Sequence, residues 1–307
     1  MVRRAGAAIL LLWAGAAGAA DSRVFGEAQY SSDSDDQVQR IFASGYRRAL
    51  PSVQASWAAA VGRRELSAPA GRENFAFARL DGKIELGSGA SLVTQARYLS
   101  GGAWSPTLGS AAVNWKPADR WYVEASVERD LVDTVVAIRN RVRFDTAAVS
   151  ADWTLVPSLT LVAGASRSAF SDGNDRRART LRLILSPAAL PWFNAQLRAR
   201  RADSDATGIG YFNPRRLEEY EFLVRVAGAP FGDRWNVSLR VGAGNQRVDR
   251  GSRSAIYSVD ARARGWFTDD YGMEARAACT NTGGLSAAPA DEGYRNCLAS
   301  VSLIAAW

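Results

Sequence analysis

The amino-acid sequence predicts an all-β fold: a transmembrane antiparallel up-and-down β-barrel of about sixteen strands. Runs of alternating apolar and polar residues recur along the chain, the connections between them alternate in length, and tryptophans gather beside the short ones. Alternation puts apolar side chains on one face of a strand and polar ones on the other, as a wall between lipid and water requires. After residue 20 no segment approaches about eighteen consecutive apolar residues, which excludes a helical membrane protein.

The N-terminal segment has the features of a secretory signal peptide. Arg3 and Arg4 precede an apolar stretch centred on Ile9–Trp13, and small residues at 17–20 offer a cleavage site. The stretch is too short to be a good transmembrane helix. We therefore expect a signal peptide over residues 1–20 and one barrel domain over residues 21–307.

Sixteen runs with period two are bounded by turn residues. The clearest runs begin at Leu159 and Trp235, whereas the run around Phe42 is the weakest because both of its faces carry apolar residues. The predicted strands are 23–31, 37–48, 52–62, 74–86, 90–99, 108–116, 121–130, 143–154, 159–169, 178–186, 192–201, 217–227, 235–246, 254–265, 271–280 and 297–307.

Connection lengths indicate the orientation of the barrel. The connections after even-numbered strands are tight, while those after odd-numbered strands are mostly longer and polar, including 129–141, 202–216 and 281–296. A barrel with both termini in the periplasm needs short turns on that side and longer loops outside. A soluble β-sandwich gives no reason for such regular alternation.

Aromatic residues predict two interfacial girdles. Seven tryptophans lie beside the short turns or at the terminus, and four tyrosines lie at the opposite strand ends; indole and phenol rings prefer the headgroup boundary. The alternative is that aromatics mark strand ends in a sandwich core. The residues are Trp115, Trp121, Trp153, Trp192, Trp235, Trp266 and Trp307, and Tyr30, Tyr98, Tyr220 and Tyr257.

The last strand, 297–307, alternates to its end and stops on Trp307. It resembles the final strand of bacterial outer-membrane β-barrels, which typically ends on Phe or Trp and is recognised by the barrel-assembly machinery. The resemblance implies that Trp307 is an assembly signal. Cys279 ends strand fifteen and Cys297 opens strand sixteen, so we expect a disulfide that closes the last outer loop, with two unpaired thiols as the alternative.

The inward parity of the strands predicts an arginine-rich lumen wall. From strand ten onward it carries four acidic residues (Glu219, Glu221, Asp260, Glu274) and eight arginines: Arg182, Arg198, Arg200, Arg225, Arg240, Arg262, Arg264 and Arg276. Strands four to eight carry Arg79, Lys83 and Arg97 against Asp81, Glu85, Glu124, Glu128 and Asp152. Pairing across strands accounts for at least half of these charges, and the excess of arginine on one wall would favour anions.

Nothing in the composition predicts catalysis. The chain has no histidine, so a serine nucleophile lacks an ordinary general base and no His/Cys metal cluster is possible. Glu124 and Glu128 could form a glycosidase pair, but a structural role is the better interpretation. The formal charge of +7 could indicate nucleic-acid binding, which the signal peptide argues against. We expect a protein that is not an enzyme, with no cofactor, no metal and no nucleic-acid partner.

Two loop segments carry a resemblance to a known family. Phe170–Asn174 contains SDGN, and Tyr211–Arg216 contains YFNP and enters the next strand. These segments resemble the C-terminal barrels of the poly-N-acetylglucosamine and cellulose export porins, over about the last 150 residues. Those exporters carry a helical-repeat scaffold before the barrel, for which this chain has no room. The resemblance therefore implies a separate periplasmic scaffold, or a stand-alone YaiO-like outer-membrane barrel.

These observations predict a passive channel in the bacterial outer membrane, for saccharide or exopolysaccharide passage, with outer-membrane lipid and the assembly machinery as partners. The alternatives are a general or anion-preferring porin, and a surface structural or receptor barrel closed by its own loops. For that last alternative the apolar loop 129–141 is the candidate plug.

Overall fold

The computed structural model describes residues 22–101, 104–206, 210–282 and 295–306. They form a closed barrel of sixteen antiparallel strands, in which each strand pairs with its sequence neighbours and β1 pairs with β16. The strands are β1 (Ser22–Asp33), β2 (Val38–Leu50), β3 (Ala55–Ala68), β4 (Gly71–Gly87), β5 (Ala90–Ser100), β6 (Thr107–Ala118), β7 (Trp121–Leu131), β8 (Arg143–Val156), β9 (Leu159–Phe170), β10 (Asp175–Leu185), β11 (Phe193–Ser204), β12 (Arg216–Gly228), β13 (Trp235–Val248), β14 (Arg253–Trp266), β15 (Tyr271–Thr280) and β16 (Asn296–Ala306).

Two short helices lie in the described connections. A 3-10 helix, Pro51–Val53, joins β2 to β3, and the helix α1, Val135–Arg139, lies between β7 and β8. Among the described residues no helix has the length and apolar character needed to cross a membrane. We call the end of the barrel that carries α1 the external end, because β1 begins and β16 ends at the other end and the longest connections between strands lie at the α1 end.

The predicted fold class and strand number are confirmed, but some strands are longer than expected at the external end. β3 and β4 continue to a turn of two residues, 69–70, where a long loop was expected, and β10 begins at Asp175 rather than at residue 178. These extensions contain charged residues that suggest a loop. Leu66 and Phe75 nevertheless alternate with them and pack inside the barrel, which keeps the ladder regular.

The outward face carries an exposed apolar belt that only lipid can cover. Large side chains on this face remain exposed in the isolated chain, among them Val61, Leu80, Val127, Val149, Leu181, Leu197, Phe222, Leu239, Val259 and Leu303. A soluble protein does not expose such a continuous belt, whereas a closed sheet pairs the backbone polar groups of its wall and can therefore lie in lipid. The belt is the membrane-spanning surface.

Aromatic side chains border the belt on both sides. Tyr30, Tyr98, Tyr220 and Tyr257 are exposed near the external end, and Trp115, Trp121, Trp153 and Trp192 are exposed near the other end. The rings of Trp121 and Trp153 stack with centroids 5.4 Å apart. Trp266 departs from the expected girdle because its register position faces inward, where the Arg23 guanidinium lies 5.4 Å from its ring. The expected signal peptide and Trp307 lie outside the described residues.

A disulfide joins Cys279 and Cys297, whose Cα atoms are 4.1 Å apart. The two residues are directly opposite each other in the β15–β16 ladder and face outward. The bond closes the connection between the last two strands, with a sequence separation of 18.

Removing this disulfide should destabilise the barrel. We expect the double variant Cys279→Ala/Cys297→Ala to lose roughly 3 kcal/mol of unfolding free energy, since the cross-link limits the unfolded chain. Urea titration of the protein refolded in lipid vesicles measures this loss. The wild-type protein in reductant is the matched control and should behave like the variant. Equal stability of all three samples would contradict the prediction.

Candidate functional site

The β7–β8 connection, residues 132–142, folds inward across the external mouth. Thr134 caps α1 by accepting a hydrogen bond from the Ala137 backbone N–H at 3.0 Å. Val135 and Ile138 pack against inward-facing side chains of β3 to β6. The apolar residues of this loop thus find a buried surface inside the barrel wall; the partners are Leu66, Phe75, Phe77, Leu99 and Leu108.

The other side of the same loop meets the β11–β12 connection, residues 205–215. Ala137 and Val142 pack with Tyr211 and with Phe170 of β9. Phe212 continues the contact to inward-facing residues of β10 to β13. Residues 132–142 and 210–213 therefore bridge the bore from β3 round to β13, and we call them the plug.

The two loop motifs singled out in the sequence lie in direct contact. The Tyr211 hydroxyl donates to Asp172 at 2.9 Å, and the Asn174 amide donates to the Ala206 carbonyl at 3.0 Å. The Tyr211 ring stacks on Phe170 with centroids 5.3 Å apart. Burial raises the pKa of the Tyr211 hydroxyl, and its bond to Asp172 acts in the same direction. The hydroxyl therefore stays protonated and remains a donor.

Ion pairs anchor the plug to the opposite side of the barrel. Arg64 of β3, whose side chain is only 3% exposed, pairs with Asp133. Arg139 of α1 pairs with the buried Glu73 of β4 at 2.8 Å. Buried charges of this kind are costly to leave without a partner, so each pair holds the loop against the wall.

Below the plug the lumen stays open and polar. A cavity of about 600 Å³ is lined by residues of β14–β16 and β1–β5, with Arg64 and Leu99 at the plug side. A second cavity of about 440 Å³ lies against β7–β10, where Arg182 faces Glu124 and Asp152. Both cavities could hold water and small polar solutes.

The register puts all eight predicted arginines on the inward face of the wall. Arg182 is directly opposite Arg198, Arg225 is opposite Arg240, and Arg262 is opposite Arg276. Arg200 and Arg264 share this parity. Because β10 is longer than expected, Arg176 joins them as a ninth inward arginine. We call these nine residues the basic wall.

Carboxylates neutralise part of the basic wall. Arg198 pairs with Glu221 at 2.5 Å, Arg200 with Glu219 at 3.1 Å, and Arg264 with Glu274 at 3.0 Å. Arg262 and Arg276 share Asp260, at 2.8 and 2.6 Å. Gly242 leaves room for the Glu221 carboxylate, since a Cβ there would collide with its oxygen.

The remaining arginines of the wall have no carboxylate within 4.0 Å among the described residues: Arg176, Arg182, Arg225 and Arg240. A guanidinium nitrogen of Arg176, Arg182 and Arg240 is buried without a hydrogen-bond partner in the described part of the chain. Such groups are poised to accept an anionic ligand.

The opposite wall carries the other sign. Inward positions of β7 and β8 hold Glu124, Glu128, Asp130 and Asp152, and of these Asp130 pairs with Arg97 at 2.8 Å. Arg79 of β4 is neutralised by Glu27 and Asp81, at 3.2 and 3.0 Å. An electric field therefore points across the bore, from the basic wall to this acidic side.

The sequence signals missed the anchoring residues. Arg64 and Glu73 lie in stretches expected to be loop, and Asp133 lies within the apolar loop 129–141, which was considered only as a candidate plug. Alternation with Leu66 and Phe75 was the available signal for the first two. Ile41 explains why the alternation in β2 was weak. Its inward side chain packs against the apolar cluster that includes Val135 and Ile138 of the plug, so both faces of β2 are apolar.

No family model and no curated protein matches this sequence. Among solved structures, the chain is similar to a bacterial polysaccharide outer membrane secretin, at 12% identity and a TM-score of 0.68 over 94% of this chain and 98% of that one. It is also similar to Pseudomonas aeruginosa OccK3 (OpdO), at 10% identity and a TM-score of 0.50 over 94% and 95%. A variant of OccD1 (OprD) gives 9% identity and 0.51 over the same shares.

These likenesses establish the fold as that of bacterial outer-membrane barrels. Together with the lipid-facing belt they place the protein in the bacterial outer membrane. The first of them agrees with the resemblance carried by the SDGN and YFNP loops, whose residues hold the plug.

The Arg64–Asp133 pair should control exposure of the plug. In Arg64→Ala we expect faster trypsin cleavage after Arg139 and Arg141 in folded protein, because Asp133 loses its partner and the loop is released. Mass spectrometry of the fragments gives the rate. Arg63→Ala is the matched control, since Arg63 is the exposed neighbour on the same strand. Equal cleavage rates in the two variants would refute the anchoring role.

Proposed function

We propose that this barrel is a passive outer-membrane channel for anionic saccharides or exopolysaccharide, guided by the basic wall. The observation that carries the proposal is the set of inward arginines that lack a carboxylate partner among the described residues, notably Arg182 and Arg240. Guanidinium groups bind carboxylate and phosphate in bidentate fashion and also donate to hydroxyls. Several weak sites along one wall let a charged chain advance without being held at any one. The proposed role involves transport without catalysis.

The plug is the closing element of this channel. In the proposal it must shift for cargo to leave at the external end, because Val135, Ile138 and Tyr211 fill the mouth. The ion-paired side, with Arg64 and Arg139, is the side that releases. The side held by Tyr211 and Phe170 is the hinge, since its stacked rings are insensitive to ionic strength, whereas the other side depends in part on ion pairs.

The remaining parts of the proposal concern delivery and assembly. Residues 1–20 are removed as a signal peptide on export, and Trp307 is read by the barrel-assembly machinery. For polysaccharide, a separate periplasmic scaffold protein brings the chain to the inner end of the lumen. The structural likeness to a polysaccharide outer membrane secretin supports a polymeric cargo for this chain.

Charge reversal at the unpaired arginines tests the basic wall. We expect wild-type protein in planar bilayers to prefer anions, and Arg182→Glu/Arg240→Glu to lower the anion-to-cation permeability ratio roughly tenfold. Reversal potentials in a salt gradient measure it. Arg182→Lys/Arg240→Lys keeps the charge and is the matched control, which should stay anion-selective. An unchanged anion-to-cation permeability ratio in Arg182→Glu/Arg240→Glu would refute the proposal.

Removing the β7–β8 part of the plug tests whether the plug closes the channel. Replacing residues 132–142 with a short Gly-Ser turn should raise single-channel conductance severalfold, because the loop that fills the external mouth is gone. Heat-modifiable gel mobility verifies that the variant has folded. A shuffled loop of the same length and composition is the control for loop length. Equal conductance of the deletion and the wild type would show that the plug does not obstruct the bore.

Two other functions make different predictions in the same bilayer. An anion-preferring porin for small solutes would conduct chloride, and long anionic oligosaccharides would not block it. A structural or receptor barrel, which the plug favours, would not conduct as the wild type and would conduct only after the plug is deleted. Block by anionic oligosaccharides, with affinity rising with chain length, is expected only of the polysaccharide channel.

A further inference from the structure

A second set of arginines lies on the outside of the barrel, at the external rim of β9 to β14. Their register positions share the outward parity of the apolar belt, so they face the membrane and not the lumen. All of them are exposed in the isolated chain. The set is Arg167, Arg177, Arg179, Arg201, Arg216, Arg247 and Arg253, and we call it the rim patch.

The rim patch places like charges directly opposite each other. Arg177 faces Arg167 across the β9–β10 ladder, Arg179 faces Arg201 across β10–β11, and Arg247 faces Arg253 across β13–β14. Like charges at opposed positions destabilise a sheet unless something neutralises them. Asp175 bridges the first pair by contacting both Arg167 and Arg177, whereas the other two pairs each keep an arginine, Arg179 or Arg247, that an anionic partner could neutralise.

The carboxylates on the same face are too few to neutralise the patch. Outward positions of β9 to β14 carry seven arginines and only three acidic residues, Asp175, Asp203 and Glu218. Asp175 pairs with Arg167 at 2.7 Å and with Arg177 at 3.6 Å. Asp203 pairs with Arg201 at 2.9 Å, and Glu218 pairs with Arg216. The described residues supply no carboxylate within 4.0 Å of Arg179 or Arg247.

The position of the rim patch along the membrane normal determines which anion it can contact. Leu181 is the next outward residue below Arg179, and Tyr220 is the next below Glu218. The Arg253 guanidinium lies 5.5 Å from the Tyr220 ring centre. Tyrosines of this kind mark the boundary between acyl chains and headgroups. The patch therefore begins at the level of the lipid headgroups in the external leaflet.

We propose that the rim patch is a docking surface for a phosphorylated glycolipid of the external leaflet, with Arg179 and Arg247 binding its phosphate groups. Arginine forms bidentate hydrogen bonds with phosphate, and bound phosphates relieve the repulsion between the opposed guanidiniums. The acyl chains of the lipid cover the apolar belt directly below, on Leu181 and Phe222. The surface is independent of the lumen and of its cargo.

Native mass spectrometry of the full chain in detergent tests the proposal with bis-phosphorylated lipid A as the probe. Each arginine near a charged lipid surface contributes roughly a fivefold gain in affinity. We therefore expect Arg179→Gln/Arg247→Gln to weaken lipid A binding about tenfold or more. Arg48→Gln/Arg120→Gln removes the same charge from exposed positions at the opposite end and is the matched control, which should bind like wild type.

Further measurements distinguish binding of the lipid phosphate groups from binding of the sugar and acyl chains and from binding of free phosphate. Lipid A from which both phosphates have been removed should bind the wild type no better than it binds the double variant. Millimolar inorganic phosphate should leave lipid A bound, and displacement by it would mean that the patch takes a free ion only. Equal binding of phosphorylated lipid by wild type and Arg179→Gln/Arg247→Gln would overturn the proposal. Heat-modifiable mobility and unchanged ion selectivity verify that both variants are folded and that the lumen is intact.

Discussion

Closure of the sheet is the constraint on which the rest of this structure depends. β1 and β16 pair from Arg23 with Ala306 to Asp33 with Asn296, so no strand edge is left in the hydrocarbon. A closed ladder also fixes one parity as outside and the other as inside for the whole wall, because a slip of one residue would turn every side chain over. The apolar belt, the basic wall and the rim patch are three consequences of that single choice of register.

Period-two alternation was enough to predict the strands, and the register puts the eight arginines on the inward parity that it gives. It failed where a strand leaves the membrane. There the outward residues become charged, as at Arg63 and Arg72, and the sequence looks like a loop although the ladder continues. The inward position of Trp266 was missed because proximity to a short turn does not fix parity. The apolar character of the plug could be read from the sequence. Its anchors on distant strands could not, since only closure of the barrel brings those strands near the loop.

Different kinds of contact hold the two sides of the plug. Toward β3 and β4 the apolar packing of Val135 and Ile138 is joined by two ion pairs, Arg64–Asp133 and Arg139–Glu73, and such pairs lose much of their value when one partner is hydrated or screened. Toward β9 and β12 the contacts are the stacked rings of Tyr211 and Phe170, which salt affects little, and a hydrogen bond that the Tyr211 hydroxyl donates to the Asp172 carboxylate. In the proposed channel, an anion that competes with Asp133 for Arg64 would weaken the ion-paired side of the plug while the ring contacts of Tyr211 remain.

The basic surplus of the chain is concentrated on a few strands rather than spread over the surface. Adjacent arginines such as Arg176–Arg177 and Arg200–Arg201 point to opposite faces of the same strand, so one stretch of sequence supplies both the basic wall and the rim patch. Internal pairing cannot be the whole reason for these residues, because Glu219 and Glu221 serve only the lumen side and, within the described chain, leave Arg182 and Arg240 without carboxylate partners. Carboxylates of the chain neutralise the arginines only in part on each face, so the positive potential of the wall attracts anions both from the lipid side and from the lumen.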